Sequence, residues 1–351
     1  MSMGRFTIVG LCCALLGGCV QDPSSLAPNV STPSAKGVYI LNEGNFGRGN
    51  STLSYYDLES FKVEKDVFFS VNNKALGDVG NSMLLHGGFG YIVVNNSHKI
   101  EIIELATHRN VGTINVGAGK SPRQMALLND TTALVTALYD ASVLKVDLKN
   151  RTVLQRIPVG ANPEGIAIAA GKAFVANSGL GRGQTVSIIN LASFSVARTL
   201  VVGDNPVGVQ VTPSGFVYIV CVGFYNDPGN PNDDTPARIA VINPTNDALV
   251  DSVVLGGHGY EIAVSAEGKG YVPTTLGVVT IDTRIHRVTG IFKQGEFYSI
   301  GIEEASGDIY LADAKNYIQP GTVFVYASAT GGLRTQFDVG LIPGTFAFKR
   351  Q

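Results

Sequence analysis

From residue 37 onward, apolar residues come in short runs, β-branched or aromatic, that turn residues interrupt; no run keeps a helical period. Three stretches can be set on one another: "SPRQMALLNDTTALVTALYDASVLKVDLKNRTVLQRIPVG", "NPEGIAIAAGKAFVANSGLGRGQTVSIINLASFSVARTLVVG" and "NPVGVQVTPSGFVYIVCVGFYNDPGNPNDDTPARIAVINPTNDALVDSVVLG". Each reads as a turn with proline, a first strand, a second strand of the Tyr-Val type, a loop, a third strand that often ends in Asp or Asn, and a fourth ending in Val-Gly or Leu-Gly. Seven second strands follow from this pattern: "VYIL" from Val38, "YIVV" from Tyr91, "ALVT" from Ala133, "AFVA" from Ala173, "VYIV" from Val217, "YVPT" from Tyr271 and "IYLA" from Ile309. Seven first strands lie around Met83, Met125, Ile166, Val209, Ile262, Ile300 and Phe346. Residues 37–351 allot 45 residues to each unit, inside the range of about 40–50 for a propeller blade. The pattern predicts an all-β fold, a seven-bladed β-propeller of four-stranded blades. The repeat begins on a second strand and ends on a first one. The C-terminal strand is therefore expected to join the N-terminal blade and close the ring without a free edge. Two solenoid-like halves are the competing use of the same repeats.

Composition agrees. The 42 glycines and 15 prolines are spread along the chain, as many tight turns require. Mean hydropathy is positive at +0.19 while charged residues are only 15%, and past the N-terminus no run approaches the roughly 18 apolar residues of a membrane helix. Sheets buried on both faces account for such a chain. A formal charge of −2 creates no large field and disfavours a nucleic-acid partner.

The N-terminus reads as targeting. Arg5 flanks the apolar stretch "FTIVGLCCALLGG", of signal-peptide length. The ending "LLGGC" resembles a bacterial lipobox, with Leu16, two small residues and Cys19 as the acceptor of a diacylglyceryl chain. An ordinary signal peptide with an incidental cysteine is the plainer alternative. On the lipobox reading residues 1–18 are a lipoprotein signal peptide, 19–36 a lipidated Cys19 and flexible tether rich in Ser, Pro, Ala and Asn, and 37–351 the propeller. Cys12 and Cys13 leave with the signal. Cys19 and Cys221 remain, which leaves no intrachain disulfide and no cysteine metal site. Cys221, in "VYIVCVGF", reads as a buried small hydrophobe.

In a blade of this order the first-to-second and third-to-fourth hairpins share one face of the ring. The second-to-third loops and the crossings between blades share the other. Loops on the crossing face are uneven, from "LYDA" through "NSGLGRGQ" and "NEGNFGRGNS" to "GFYNDPGNPNDDTP" at 223–236, and uneven insertions on one face mark function. Positions just after each crossing point to the central channel: Asn81 and Ser82, Arg123 and Gln124, Glu164 and Gly165, Val207 and Gly208, Tyr260 and Glu261, Tyr298 and Ser299, Gly344 and Thr345. They predict a polar, aromatic mouth that binds a ligand, or else a solvated lining. Other signals fail. "VGAGKSP" lacks the first glycine of a phosphate loop, Ile114 standing in its place, and Pro122 blocks the helix that would follow. Histidines 86, 98, 108, 258 and 286 have no metal spacing. Asp227, Asp233 and Asp234 could offer oxygens to calcium but lack an ordered ligand spacing, so a solvated loop is expected. No G-x-S-x-G elbow occurs.

"NPEGIAI", "KAFVAN" and "TVSIIN" resemble the repeats of YVTN-type propellers of bacterial secreted and surface proteins, along the whole of 37–351. "YILNEGNFGRGNSTLSYYD" resembles the opening of propeller lipoproteins of Bacteroidetes-type bacteria, some of which partner a TonB-dependent outer-membrane transporter and capture cobalamin. That resemblance implies a lipid-anchored, outer-membrane, cell-surface protein, with the periplasmic side as the other location, that binds a small molecule, a corrinoid, and is not an enzyme. No cofactor is expected. The ligand-binding residues are then expected among Asn42, Asn45, Phe46, Asn81, Arg123, Gln124, Glu164, Tyr260, Glu261 and Tyr298. An amide-rimmed corrinoid suits a wide mouth of Asn, Gln and Tyr. Two other classes stay open. One is an adhesive or scaffolding propeller. The other is a metal-dependent lactonase-like or lyase-like enzyme, for which Glu164, Glu261 and Glu296 are the available carboxylates.

Overall fold

The computed structural model describes residues 36–225 and 234–350. They form seven four-stranded antiparallel sheets. Each second strand anticipated from the sequence lies within an observed strand, from Gly37–Asn42 in blade 1 to Ile309–Asp313 in blade 7. Blade 1 is ordered Pro343–Lys349, Gly37–Asn42, Thr52–Asp57, Val63–Glu64. Three strands from one end of the repeat and one from the other thus close the ring, as the order of strands required. The segments 1–18 and 19–36 lie outside the described residues apart from Lys36.

The hydrophobic strands make sense once the blades are stacked. Successive side chains of a strand point to opposite faces, and both faces of a blade are covered. In Gly37–Asn42, Val38 and Ile40 join the core shared with blade 7, while Tyr39 and Leu41 join the core shared with blade 2. Seven such clusters occur, one at every junction between blades. Cys221 sits in the junction of blades 4 and 5 as a buried hydrophobe, its thiol pushed up to about 12 by burial.

Five of the seven third strands end in Asp or Asn, for a local reason. Their side chains accept backbone N–H groups two or three residues on and fold the hairpin as an Asx turn. Asp57 accepts from Ser60, Asp147 from Asn150, Asn190 from Ser193, Asn243 from Thr245 and Asp282 from Arg284, at 2.7–3.1 Å.

One strand departs from expectation. The inner strand of blade 6, anticipated around Ile262, is only Ala263–Val264. It pairs with Tyr271 and Gly270, and the ladder stops two residues short of Pro273, in the second strand Lys269–Thr274. Proline has no N–H to give the ladder. The segment before Ala263 is thereby freed from pairing and carries Tyr260 and Glu261 at the channel.

Candidate functional site

The channel opens on the crossing face into a cavity of about 720 Å³ to which all seven blades contribute. Its side chains are aimed by a repeated irregularity. In blades 1 to 5 the pairing of first and second strands shifts register at the start of the first strand. The residues that lose a one-to-one partner there include Gly344, Asn81, Arg123 and Gln124, Glu164 and Gly165, and Val207. A β-bulge turns such residues out of the ladder, and here all of them line the cavity. Just ahead of the bulge the chain takes a positive φ at Val79, Ser121, Asn162, Asn205 and Ile342, a conformation that costs these side chains about 1–2 kcal/mol each. The strain recurs where the channel is lined.

Gly165 and Gly208 serve close approach: a Cβ on Gly165 would collide with the Val207 carbonyl of the next inner strand, and one on Gly208 with that of Tyr260. Hydroxyls tie neighbouring blades around the ring. Thr345 Oγ1 donates to the Asn81 carbonyl at 3.0 Å, Ser82 Oγ to that of Arg123 at 2.7 Å, Thr136 Oγ1 to that of Glu164 at 2.6 Å, and Ser299 Oγ to that of Pro343 at 2.7 Å.

Within the cavity, Arg123 Nε donates to Glu164 Oε2 at 2.5 Å and its Nη1 to Asn81 Oδ1. Ser178 Oγ adds a long contact to Glu164 Oε1 at 3.4 Å. Tyr298 donates its hydroxyl to Glu43 Oε2 at 3.0 Å, and its ring stands edge to face against Tyr317, 5.8 Å away. Glu261 Oε1 accepts the Ile300 N–H. Burial raises the Glu43 carboxyl to about 7, against the pull of the Tyr298 bond and Arg123. Burial, reinforced by the nearby charge of Glu43, raises Glu261 to about 8. Tyr260 and Tyr317 are well exposed on the rim.

Seven of the residues anticipated from the sequence therefore meet: Asn81, Arg123, Gln124, Glu164, Tyr260, Glu261 and Tyr298 all line the cavity. Three do not. Asn42 is fully buried at the end of its strand, where its Nδ2 spans Thr52 Oγ1 and Ser54 Oγ at 3.0 Å each. Asn177 makes the same bonds to Thr185 and Ser187 in blade 4, so this asparagine is a repeated staple between second and third strands. Asn45 donates to the Tyr317 carbonyl at 2.8 Å and fastens its loop to blade 7. Phe46 stands 68% exposed on the loop tip, outside the cavity.

The residue of that loop that does enter the cavity is Glu43, unforeseen in the sequence. A signal existed. Its equivalents one place after the second strand are Asn95, Leu138, Ser178, Val222, Thr275 and Ala314, and only blade 1 puts an acid there. Of the possible metal carboxylates, Glu164, Glu261 and Glu296 all line the cavity. No group of three or more His, Cys, Asp or Glu able to hold a metal occurs among the described residues. Asp227 and Asp233 lie outside the described residues.

Residues 36–222, just over half the chain, match the family model described as Domain of unknown function (DUF5074). No match is found among curated proteins. Solved structures similar to the chain include a quinoprotein alcohol dehydrogenase-like protein from Bacteroides thetaiotaomicron, 17% identical over 90% of this chain and 79% of that one, with a TM-score of 0.69. Hydrazine synthase from Kuenenia stuttgartiensis is 15% identical over 78% of this chain and 95% of that one, with a TM-score of 0.62. Dihydro-heme d1 dehydrogenase is 11% identical over 93% and 78%, with a TM-score of 0.58. At such identities the likeness is one of fold.

Proposed function

The chain belongs to the DUF5074 family, and on that footing we propose that it is a lipid-anchored surface propeller that captures a small molecule, a corrinoid, at its crossing-face mouth for a TonB-dependent outer-membrane transporter. The observation that carries the binding role is the mouth itself, a cavity of about 720 Å³ built by strand bulges from all around the ring. Its lining holds Tyr260, Tyr298 and Tyr317, flat amphipathic surfaces of low entropy cost, and Gln124 brings an amide to it. A corrinoid is broad, apolar in its plane and edged with amides, so it would lie across such a mouth rather than enter it. The choice of ligand, the Cys19 anchor and the surface location rest on the resemblances of "NEGNFG" and "LLGGC".

Docking to a second protein is supported by the same face. Among the described residues, six of the seven second-to-third loops carry an exposed large apolar side chain: Phe46, Tyr139, Leu180, Tyr225, Leu276, and the pair Tyr317 and Ile318. Apolar groups ringing a polar mouth suit a partner surface that covers it.

Calorimetric titration with cyanocobalamin tests the reading. Saturable binding of one ligand per chain is expected. Folded protein that takes up no corrinoid at any attainable concentration would remove the corrinoid reading. Release of the protein to the soluble fraction by Cys19→Ser is the expected behaviour of the anchor, and a variant that stays in the membrane would remove it.

A further inference from the structure

We propose that the throat beneath the mouth is a binding site for an organic ammonium group. The inference does not depend on a corrinoid lying above it. Glu43, Glu164 and Glu261 line the cavity with a single guanidinium, that of Arg123. Arg123 is already engaged by Glu164 and Asn81, and it reaches Glu43 only through its charge, without a contact. Among the described residues neither Glu43 nor Glu261 has an ion-pair partner. Glu43 has the Tyr298 hydroxyl, and Glu261 has one backbone N–H on Oε1. No donor among the described residues reaches Glu261 Oε2, and this half-buried side chain lines the cavity.

A carboxylate so placed is costly unless something positive joins it. Without a cation a proton fills that role: burial and the charge of Glu164 hold Glu43 at about 7, and burial and the charge of Glu43 hold Glu261 at about 8. Glu296, Asp313, Lys315 and His258 complete the titratable lining. None of them relieves the pair. Lys315 Nζ lies 3.6 Å from Asp338, and His258 Nδ1 3.0 Å from the Val222 carbonyl.

The chemistry of the entering cation can be narrowed. A metal wants several convergent ligands, and no such group exists among the described residues. An ammonium needs fewer. It brings three N–H donors, enough for the free oxygen of Glu261 and the carboxylate of Glu43, and its charge is attracted by aromatic faces such as those of Tyr298 and Tyr317.

The test uses three probes of one shape on the full chain: benzylamine, benzyl alcohol and benzoate, titrated by calorimetry at pH 7.5. Benzylamine should bind at least about tenfold tighter than benzyl alcohol, a difference within reach of charge-assisted hydrogen bonds, and benzoate should not bind. Benzylamine binding should also release protons, read by comparing buffers of different ionisation enthalpy. Glu261→Gln and Glu43→Gln should each weaken benzylamine about tenfold and leave benzyl alcohol unchanged; both remove a buried charge, so folding is retained and circular dichroism checks it. Equal binding of amine and alcohol overturns the proposal. So does tight amine binding by the folded double variant, or binding without proton release.

Discussion

The two faces of the ring are built from the same strands and are chemically unlike. On the hairpin face the turns repeat: an Asp or Asn at the end of the third strand folds back on its own backbone in at least five blades. Such turns are local, and their side chains are spent on holding the strands. On the crossing face the repetition is broken. Loops differ in length, bulges push Asn, Arg, Gln and Glu into the channel, and apolar tips project into solvent. A repeat protein needs regularity for stacking, so the side free to vary is the side that carries specificity. Rossmann-type or barrel enzymes concentrate function at one end of a sheet by the same logic.

The largest effect is expected where the two faces depend on one element. Removing Gly344–Gln351 takes the inner strand from blade 1, strips Phe346 and Phe348 from the junction with blade 7, and opens the ring. The loss should be on the order of 5 kcal/mol or more, comparable with the whole stability of a domain. Thermal unfolding of the truncated chain should show no cooperative transition near that of the full chain. An unchanged melting temperature would mean that ring closure contributes nothing.

A second contrast separates binding from stability. Tyr260→Ala and Tyr298→Ala, on the crossing face, should each weaken the ligand by more than about 1 kcal/mol if these rings are anchors. Tyr260 is exposed, so its removal should hardly move the melting temperature. Normal binding by both variants would move the site away from the mouth.

The fold was legible in the chain because every level agreed: β-branched runs, turn residues at fixed intervals, and a strand order that demanded closure. Much of the mouth was legible too, since counting past each crossing turn leads to the bulge residues Asn81, Arg123 and Glu164. What failed was the loop "NEGNFG". Asn42 looked like a free amide, yet its side chain is consumed by Thr52 and Ser54, as the equivalent Asn177 shows. Glu43 was not among the anticipated residues, yet Gly344 leaves the space its carboxylate occupies: a Cβ on Gly344 would meet Glu43 Oε1. That pair joins residues three hundred positions apart in number and adjacent only after closure, which local pattern does not reveal. Tyr317 was missed for a similar reason, since its role depends on packing against Tyr298.

A third test uses pH. Glu43 and Glu261 titrate higher in the folded state than unfolded carboxyls near about 4.5, so the folded protein binds protons that the unfolded chain has released. Their contribution to stability is complete below about 4.5 and is lost as pH rises through about 7 and 8. Buried His108, lowered to about 4 by burial and Lys349, acts in the opposite sense, its contribution being lost as pH falls from about 6.5. Between pH 8.5 and 6.5 the two carboxyls therefore have the window to themselves among these groups. The melting temperature should rise as pH falls across it, and the rise should shrink in Glu43→Gln/Glu261→Gln. Equal slopes for wild type and double variant would mean that the throat carboxyls ionise as freely as in the unfolded chain.

The smallest effect is expected on the hairpin face. Asn190 Oδ1 accepts the N–H groups of Ala192 and Ser193 at 2.9 and 3.1 Å, and the turn it folds leads into Ser195, whose hydroxyl meets that of Ser193 at 2.9 Å. Asn190→Ala removes two exposed hydrogen bonds whose donors water can satisfy, so the cost should be about 0.5–1.5 kcal/mol. Ser193→Ala and Ser195→Ala, at an exposed contact, should stay within about 0.5 kcal/mol. None of the three should alter binding of any ligand at the mouth, because their blade presents Glu164 and Gly165 to the channel from its opposite end. The measurement is denaturant unfolding in parallel with ligand titration. If the serine or asparagine variants lose binding while Tyr260→Ala and Tyr298→Ala keep it, the faces have been assigned the wrong way round, and the regular turns, not the bulged crossings, hold the ligand.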